Sequence, residues 1–363
     1  MKQKNSKSGK LRRGKFGFVQ KRKRKSYGAL DLGTNNCRLL IARPTGSGFR
    51  VVASYSKIVR LGEGLSANGC LSDDAMSRTI EALSVCAERL NEFDVAATRS
   101  IATEACRRAG NCDEFFSRVR KKTGLDFEAI PYEEEARLAL VGCRNLLDGD
   151  APNALVFDIG GGSTELIWAE RDDSGAFEII DVISLPFGVV TLAEKCGTDI
   201  VDPESYEEMV AEVSSWLPPF CEKHQIGKRV GKGLVQMLGT SGTVTTLSAV
   251  HLKLPYYSRS KIDGLAIDFD SLTEASKLLT DLDYENRAAV PCIGRERAEL
   301  VIPGCAILDA ICRSWPVGQL KVADRGLREG MLMELMQADG IPISGNPAAV
   351  DRNLPPRQEH VAS

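Results

Sequence analysis

The stretch Asp158-Ile-Gly-Gly-Gly-Ser-Thr-Glu-Leu-Ile-Trp-Ala-Glu170 repeats an earlier stretch of the chain, Asp31-Leu-Gly-Thr-Asn-Asn-Cys-Arg-Leu-Leu-Ile-Ala-Arg43. The aspartate, the aliphatic residue after it, the glycine, the later leucine and the alanine recur in register. Each copy is entered from one apolar run and left through another, which predicts a β-hairpin with an acidic, glycine-containing turn. Two copies of one hairpin predict two related domains.

The residues around the first copy alternate between strand and helix patterns. Short apolar runs predict strands at Tyr27–Asp31, Leu39–Ala42, Phe49–Tyr55 and Val95–Ala97. Helical periodicity predicts helices at Asp74–Leu90 and Asp113–Lys122. The pattern therefore predicts an α/β fold.

The composition is typical of a globular protein. The chain has 363 residues, and its hydrophobic fraction of 43% is ordinary for a globular protein with a sizeable core. Its 11 cysteines lack Cys-x-x-Cys spacing, so we expect reduced core residues. No run approaches the roughly 20 apolar residues of a membrane span, and no apolar segment follows the basic start. We expect a cytoplasmic protein with no membrane partner.

Charge is unevenly distributed along the chain. Residues 1–26 contain no acid and carry twelve Lys and Arg residues, so a net charge of -2 leaves about -14 on the rest. We expect residues 1–26 to form a basic disordered arm, since it has little to bury. The arm could contact polyanions, including RNA, with strong salt dependence. The alternative, which the composition favours, is a solvated tail without a specific partner.

The glycine triplet of the second copy predicts a phosphate-binding turn. Bare backbone N–H groups can approach an anion closely there, and the candidate residues are Gly160, Gly161, Gly162 and Ser163. Asp158 and Glu165 flank the turn and can hold a hydrated magnesium ion, which prefers a few carboxylates together with substrate phosphates. The alternative is a tight hairpin without a ligand. The flanking acids and the related turn at Asp31 favour the phosphate site.

A third candidate loop follows the apolar run Leu234–Leu238 and leads into Val244–Val250, which predicts a strand, a loop and a helix. Helix N-termini bind anions through unpaired N–H groups. The candidate residues are Gly239, Thr240, Ser241 and Gly242. An ordinary Ser or Thr helix cap explains the same pattern equally well.

Three consecutive glutamates, Glu133–Glu135, follow Pro131 and begin a predicted helix. Acids in a first helical turn often only offset the helix dipole, and we expect at least two of them to be solvated. One could be the general base that aligns or deprotonates water. Other bases are scarce, since none of the three histidines lies in a glycine-rich motif, and no P-loop sequence or nucleophile elbow is present.

Six stretches, taken together and in this order, resemble the exopolyphosphatase / guanosine pentaphosphate phosphohydrolase family. They are Asp31–Leu40, Ala102–Asn111, Glu134–Arg137, Asp158–Glu165, Gly239–Thr243 and Gly326–Gly330. The resemblance runs from about Tyr27 to Met336. It implies two ribonuclease H-like domains of the actin-like ATPase superfamily, with a cleft between them and a final helix that returns to the first domain.

The resemblance also implies roles for individual residues. It makes Glu135, the glutamate directly before Ala-Arg, the catalytic residue at the hinge. Magnesium, or manganese in its place, is assigned to Asp158 and Glu165 with Asp31. The phosphate-facing residues are Gly33, Thr34 and Asn35 in the first loop, Gly160 to Ser163 in the second, and Arg107. Two positions depart from the family pattern, which often has Ser at Thr34 and Asp at Glu299; the second departure weakens any role for Glu299.

We expect residues 27–131 to form domain I, completed by a returning helix at residues 325–337, residues 132–324 to form domain II, and residues 338–363 to form a flexible tail. Because the chain ends soon after Gly330, it resembles the short two-domain members of the family. Processive action on long polyphosphate and formation of a homodimer are left open.

The function expected first is release of terminal phosphate from inorganic polyphosphate, with water activated by Glu135. The first alternative keeps this mechanism and changes the substrate to guanosine pentaphosphate. The second is an actin-like switch, in which the loops bind a nucleotide and domain motion is the output, because these folds share loops without sharing function. The switch predicts tighter binding of adenosine diphosphate than of tripolyphosphate.

Overall fold

The computed structural model describes residues 25–46, 48–147, 151–196 and 202–343. Residues 1–24 of the predicted arm, 344–363 of the predicted tail and 148–150 before the second repeat lie outside the described residues. Two short pieces assigned to these segments belong to the fold instead. Ser26 begins the first strand, and Ile343 packs in the core of the first domain.

The first sheet contains β1 (Ser26–Leu32), β2 (Asn36–Pro44), β3 (Phe49–Ile58), β4 (Val95–Ala102) and β5 (Glu128–Ala129). Their order is β3-β2-β1-β4-β5, with β1 antiparallel to β2 and parallel to β4. The intervening helices are α1 (Leu65–Asn68), α2 (Asp73–Glu92), α3 (Glu104–Arg108) and α4 (Cys112–Thr123). The predicted strands and the two predicted helices of this region are confirmed.

The second sheet contains β6 (Asn153–Ile159), β7 (Thr164–Arg171), β8 (Phe177–Leu185), β9 (Val235–Ser241), β10 (Ala266–Asp268) and β11 (Gln319–Ala323). Their order is β10-β11-β9-β6-β7-β8. Apart from the added β10, this is the order of the first sheet, with β6 in the place of β1. The repeated sequence therefore belongs to a repeated arrangement of strands.

The helices of the second half pack around this sheet. They are α5 (Tyr132–Cys143), followed by a 3-10 turn at Arg144–Leu146, then α6 (Val189–Cys196), α7 (Pro203–Ser214), α8 (Pro218–Lys223), α9 (Ile226–Val230), α10 (Gly242–His251), α11 (Arg259–Ile262), α12 (Phe269–Thr280), α13 (Tyr284–Ala289), α14 (Arg295–Ala298), α15 (Val301–Ser314) and α16 (Leu327–Ala338). In the described part of the chain no helix is long and apolar enough to span a membrane.

Helices α5 and α16 join the two sheets. On α5, Leu138 packs in a core with β1, β2 and α16, whereas Ala136 and Leu140 pack in another with β6, β7 and β9. The predicted return of the last helix to the first domain is thus seen in its contacts with α5 and β1. These two helices place the ends of β1 and β6 at a common cleft.

Candidate active site

The two repeated hairpins end in turns of the same geometry. In the first, the N–H of Gly33 donates to the carbonyl of Asn36 at 2.9 Å; in the second, the N–H of Gly160 donates to the carbonyl of Ser163 at 2.9 Å. Each turn is preceded, two residues earlier, by the repeated aspartate near the end of its strand. The sequence repeat is therefore also a repeat of local structure.

The two turns contact each other across the cleft. A Cβ atom added to Gly161 would lie 3.2 Å from both the backbone N of Asn35 and the Cβ of Thr34. One added to Gly162 would lie 2.5 Å from Thr34 Oγ1. Such distances leave no room for a side chain. The structure thus brings the predicted first and second phosphate loops together.

Two polar atoms of the first turn are buried without a partner in the described part of the chain. They are Thr34 Oγ1 and Asn35 Oδ1. Buried polar atoms are nearly always hydrogen-bonded, and an orphaned one costs about 1–3 kcal/mol. The Thr34 hydroxyl can donate to a phosphate oxygen, and the Asn35 amide oxygen can accept from a bound water. This turn has the unmet hydrogen bonds expected where a ligand binds.

Strand pairing positions the acids beside the turns. Asp158 lies directly opposite Glu165 in the β6–β7 ladder, so both side chains project from the same face of the sheet. The Glu165 carboxylate is only 2% exposed, and its Oε1 accepts from the hydroxyls of Ser163 at 2.7 Å and Ser184 at 3.0 Å. In the first hairpin, Asp31 lies opposite Arg38 instead.

The three glutamates at the start of α5 have different surroundings in the structure. Glu133 is exposed, whereas Glu134 pairs with Arg99 at 2.9 Å and with Arg137 at 2.6 Å. The expectation that two of the three are solvated is therefore wrong for Glu134. Glu135 faces the cleft, where its Oε2 lies 2.6 Å from Nη1 of Arg107.

Arg107 is held by several partners at once. Its guanidinium donates to the Glu104 carboxylate at 2.9 and 3.1 Å, and to the carbonyl of Ile130 at 3.0 Å. A further contact of 3.9 Å reaches Glu165. The arginine predicted to face phosphate thus lies between the two acids of the cleft, and its ion pairs fix its position.

Burial and mutual repulsion shift the titration of these acids. Burial, and after it the charge of Glu165, raises the pKa of Glu135 well above its usual range, although Arg107 opposes the shift. Burial and the charge of Glu135 raise the pKa of Asp158 to about 7. Burial and the charge of Asp158 raise the pKa of Glu165 to about 7. Burial also raises the pKa of Asp31. Crowded carboxylates of this kind attract a cation.

The oxygen donors fit a magnesium ion that keeps most of its waters. Among the residues with described positions, no three His, Cys, Asp or Glu side chains are grouped closely enough to hold a metal by themselves. Asp31, Asp158 and Glu165 therefore do not form a protein cage. Magnesium is commonly bound through one or two carboxylates together with substrate phosphates, which is the arrangement these residues can offer.

The third predicted loop, Gly239 to Gly242, belongs to regular secondary structure instead. Gly239 and Thr240 lie within β9, and α10 follows directly at Gly242. Gly239 is small because the ring of Phe157 packs on it, 2.6 Å from where a Cβ atom would be. The Ser241 hydroxyl accepts from the N–H of Val244 at 3.1 Å, which is the ordinary helix cap that the sequence also allowed.

Several charged residues near the cleft were missed from sequence. Arg38 occupies the position in the first hairpin that Glu165 occupies in the second, so the repeat itself contained the signal. Arg328 lies in the stretch Gly326–Gly330 but received no role. Glu104, the partner of Arg107, comes from an adjacent turn of α3.

Comparisons with known proteins identify the family of the chain. The sequence model of the Ppx/GppA phosphatase family matches residues 40–339. A curated relative from Photobacterium profundum, named guanosine-5'-triphosphate,3'-diphosphate pyrophosphatase, is 32% identical over an alignment of 324 positions that covers 85% of this chain and 59% of the relative. The chain thus spans about three fifths of the length of the curated relatives it matches.

Solved structures share the fold. The Ppx/GppA family member from Aquifex aeolicus superimposes with a TM-score of 0.69 at 26% identity, covering 87% of this chain and 99% of that one. An exopolyphosphatase from Cytophaga hutchinsonii has the same fold, with a TM-score of 0.75 at 23% identity over 87% of this chain and 99% of that one. These likenesses confirm the predicted two-domain fold of the actin-like ATPase superfamily, and with the family match they show that the chain belongs to the Ppx/GppA phosphatase family.

Proposed function

We propose that the chain is a phosphoanhydride hydrolase that removes the terminal phosphate of guanosine pentaphosphate, with Glu135 as the general base. The observation that carries the proposal is the position of Glu135. Its half-buried carboxylate lies 2.6 Å from Arg107, and Arg107 lies 3.9 Å from Glu165 on the strand that follows the second glycine turn. A base fixed in position at a candidate phosphate site can orient the attacking water and take its proton.

Each group at the cleft has a chemical task in this proposal. Thr34 and the backbone N–H groups of the glycine turns orient the terminal phosphate, and Glu135 orients the attacking water and takes its proton. Arg107 offsets negative charge on the phosphate and holds Glu135 in place. Asp158 and Glu165, with Asp31, would hold magnesium, which supplies neutralisation of phosphate charge when it is bound.

The choice of substrate rests on the relatives. Their name, guanosine-5'-triphosphate,3'-diphosphate pyrophosphatase, supports the alternative expected from the sequence over the polyphosphate reaction expected first. The 23% identical exopolyphosphatase supports the fold alone. We therefore place guanosine pentaphosphate first and use polyphosphate as the comparison substrate.

The test is phosphate release from guanosine pentaphosphate and from polyphosphate, measured side by side with magnesium present. We expect the larger kcat/KM for guanosine pentaphosphate. A larger value for polyphosphate would return the assignment to the exopolyphosphatase reaction. Release from neither substrate, together with tighter binding of adenosine diphosphate than of tripolyphosphate, would favour the nucleotide switch.

A further inference from the structure

Arg328, at the second position of α16, is a cation at the cleft without a partner. Its side chain is half-buried, yet its guanidinium forms no hydrogen bond or salt bridge with any residue in the described part of the protein. A guanidinium carries five donors and is costly to bury unpaired. An arginine that is partly removed from water usually has a carboxylate partner or binds an anionic ligand.

The carboxylate that follows Arg328 in the chain, that of Glu329, already has other partners. Glu329, only 2% exposed, accepts from Arg259 at 2.8 Å through one oxygen and from the N–H of Gly326 at 3.0 Å through the other. Both oxygens of Glu329 thus accept from other donors, and no bond to Arg328 is formed. Desolvation lowers the pKa of Arg328 even though Glu329 and Asp31 act in the opposite direction. The nearby acids do not fully compensate this cation.

Arg328 lies at the cleft, near the aspartates of the two hairpins. It is close enough to Asp31 and Asp158 to lower the pKa of each, and Arg38 acts on both aspartates in the same direction. Asp158 is affected by Glu135 as well, so an acidic side of the cleft, represented by Glu135, and a basic side, represented by Arg38 and Arg328, both act on this aspartate. The basic side has no assigned role in the hydrolysis described above.

Resting on the proposed function, we infer that Arg328 binds the phosphate group next to the terminal one and stabilises it as the leaving group. In this reaction the water oxygen forms a bond to the terminal phosphorus, and the bond from that phosphorus to the bridging oxygen breaks. The water proton goes to Glu135, and the electron pair of the broken bond remains on the leaving phosphate. The fixed charge of Arg328 offsets that developing charge without any proton transfer.

The first α16 turn adds donors at the same place. The N–H groups of a first helical turn have no partner within their own helix, and the helix dipole favours an anion there. Gly326 precedes the turn, where a Cβ atom would approach Thr240 Oγ1 at 3.1 Å. Thr240 lies opposite Asp158 in the β6–β9 ladder, so the start of α16 and Arg328 lie beside the strand end that carries Asp158.

The binding experiment compares wild type, Arg328→Met, Arg328→Lys and the surface control Arg118→Met by calorimetry with inorganic pyrophosphate and with orthophosphate, in magnesium buffer. Arg118 is an exposed arginine that pairs with exposed acids of α2 and α4, which makes it a control for the loss of a surface arginine. We expect Arg328→Met to weaken pyrophosphate binding by about 10-fold or more and orthophosphate binding much less. Arg328→Lys should be intermediate, because it keeps the charge and loses the fork geometry.

Thermal melting separates binding from a structural role. Without ligand, Arg328→Met should melt at or above the wild-type temperature, because it removes an unpaired desolvated charge, and its stabilisation by pyrophosphate should be lost. On guanosine pentaphosphate, kcat should fall by about 100-fold, more than KM changes. Equal pyrophosphate affinity in wild type and Arg328→Met, or no pyrophosphate binding by the wild type, would overturn the inference. If pyrophosphate binding depends on Arg328 but the wild type releases no phosphate from either substrate, the proposed function fails and the binding site stands.

Discussion

Asp158 is the residue on which the acidic and basic sides of the cleft both act. The pKa of an aspartate in an unfolded chain is about 4, whereas in the fold the pKa of Asp158 is raised to about 7. The folded protein therefore binds this proton more tightly than the unfolded chain does. The stabilising contribution is full below about pH 4 and is lost as the pH rises through 7.

Asp158→Asn removes one negative charge from the cleft. The variant therefore does not lose the stability that the wild type loses when Asp158 ionises at rising pH. We compare the melting temperature of the variant minus that of the wild type at two pH values, with a chelator present. We expect this difference to be about 5 °C or more larger at pH 8 than at pH 5. Asp270→Asn, at an exposed position in the first turn of α12, is the control for a change in net charge. A difference between variant and wild type that does not change with pH would contradict the raised pKa.

At the scale of residues, the sequence indicated which side chains belong to the candidate site better than it indicated which of them contact each other. The family resemblance selected Glu135 among the three glutamates, and the structure adds the reason for the selection, since Glu134 is engaged by Arg99 and Arg137. Partners such as Arg107 and Glu135 come from separate elements, so no local pattern pairs them. Glu299, whose role the resemblance weakened, forms an exposed ion pair with Arg60 at 2.8 Å.

At the scale of elements, the close crossing of α5 and α16 determines how the two domains are joined. A Cβ atom on Gly330 would lie 2.1 Å from the carbonyl oxygen of Leu138, and one on Gly142 would lie 2.0 Å from that of Gly326. Each obstacle is backbone, which cannot rotate away as a side chain could. The two helices approach this closely only because both positions are glycine.

Gly330→Ala should therefore force the helices apart and destabilise the protein by about 3 kcal/mol or more, near the upper end for overpacking. Denaturant unfolding measures the change. Gly242→Ala is the control, since a Cβ atom there meets nothing within 4 Å. Equal stability of the two variants would show that α5 and α16 do not cross as closely as described.

The elements themselves were largely predictable, and the exceptions have a common cause. The hairpins follow from alternating apolar runs and a glycine turn, which are local signals. The third loop was misplaced because Gly239 suggests a turn by composition, whereas its small size serves contact with Phe157 across the sheet. Contacts between strands override a local pattern of this kind.

At the scale of the whole molecule, the described fold begins at the end of the basic arm. Lys25 lies 3.0 Å from Asp339, and the hydroxyl of Tyr27 donates to the same carboxylate at 2.6 Å. A truncation should therefore remove residues 1–24 and keep Lys25, so that this contact between the two ends of the domain is preserved.

Removal of residues 1–24 should leave the melting temperature and the rate on short substrates unchanged, because the arm has little to bury. It should raise the KM for long-chain polyphosphate and flatten its salt dependence, since fewer cations neutralise phosphates. Michaelis constants for long-chain polyphosphate and tripolyphosphate at low and physiological salt make the comparison. If neither the long-chain value nor its salt slope changes, the arm has no substrate role.

The two-domain architecture was predictable from the repeat, and the cleft from the resemblance. How the domains meet was not, because the contact of Gly161 and Gly162 with Thr34 joins segments more than a hundred residues apart. The proposed function depends on this contact, because it brings the two glycine turns together beside the acids of the cleft.

The most direct test of the account is the turnover of Glu135→Gln on guanosine pentaphosphate, with Glu133→Gln as the matched control on the same helical turn. Glu133 is exposed, whereas Glu135 lies 2.6 Å from Arg107. We predict that Glu135→Gln lowers kcat by about 100-fold or more while tripolyphosphate binding and melting temperature stay close to wild type, and that Glu133→Gln keeps wild-type turnover. Retention of more than half the wild-type kcat by Glu135→Gln would contradict the assignment of the base.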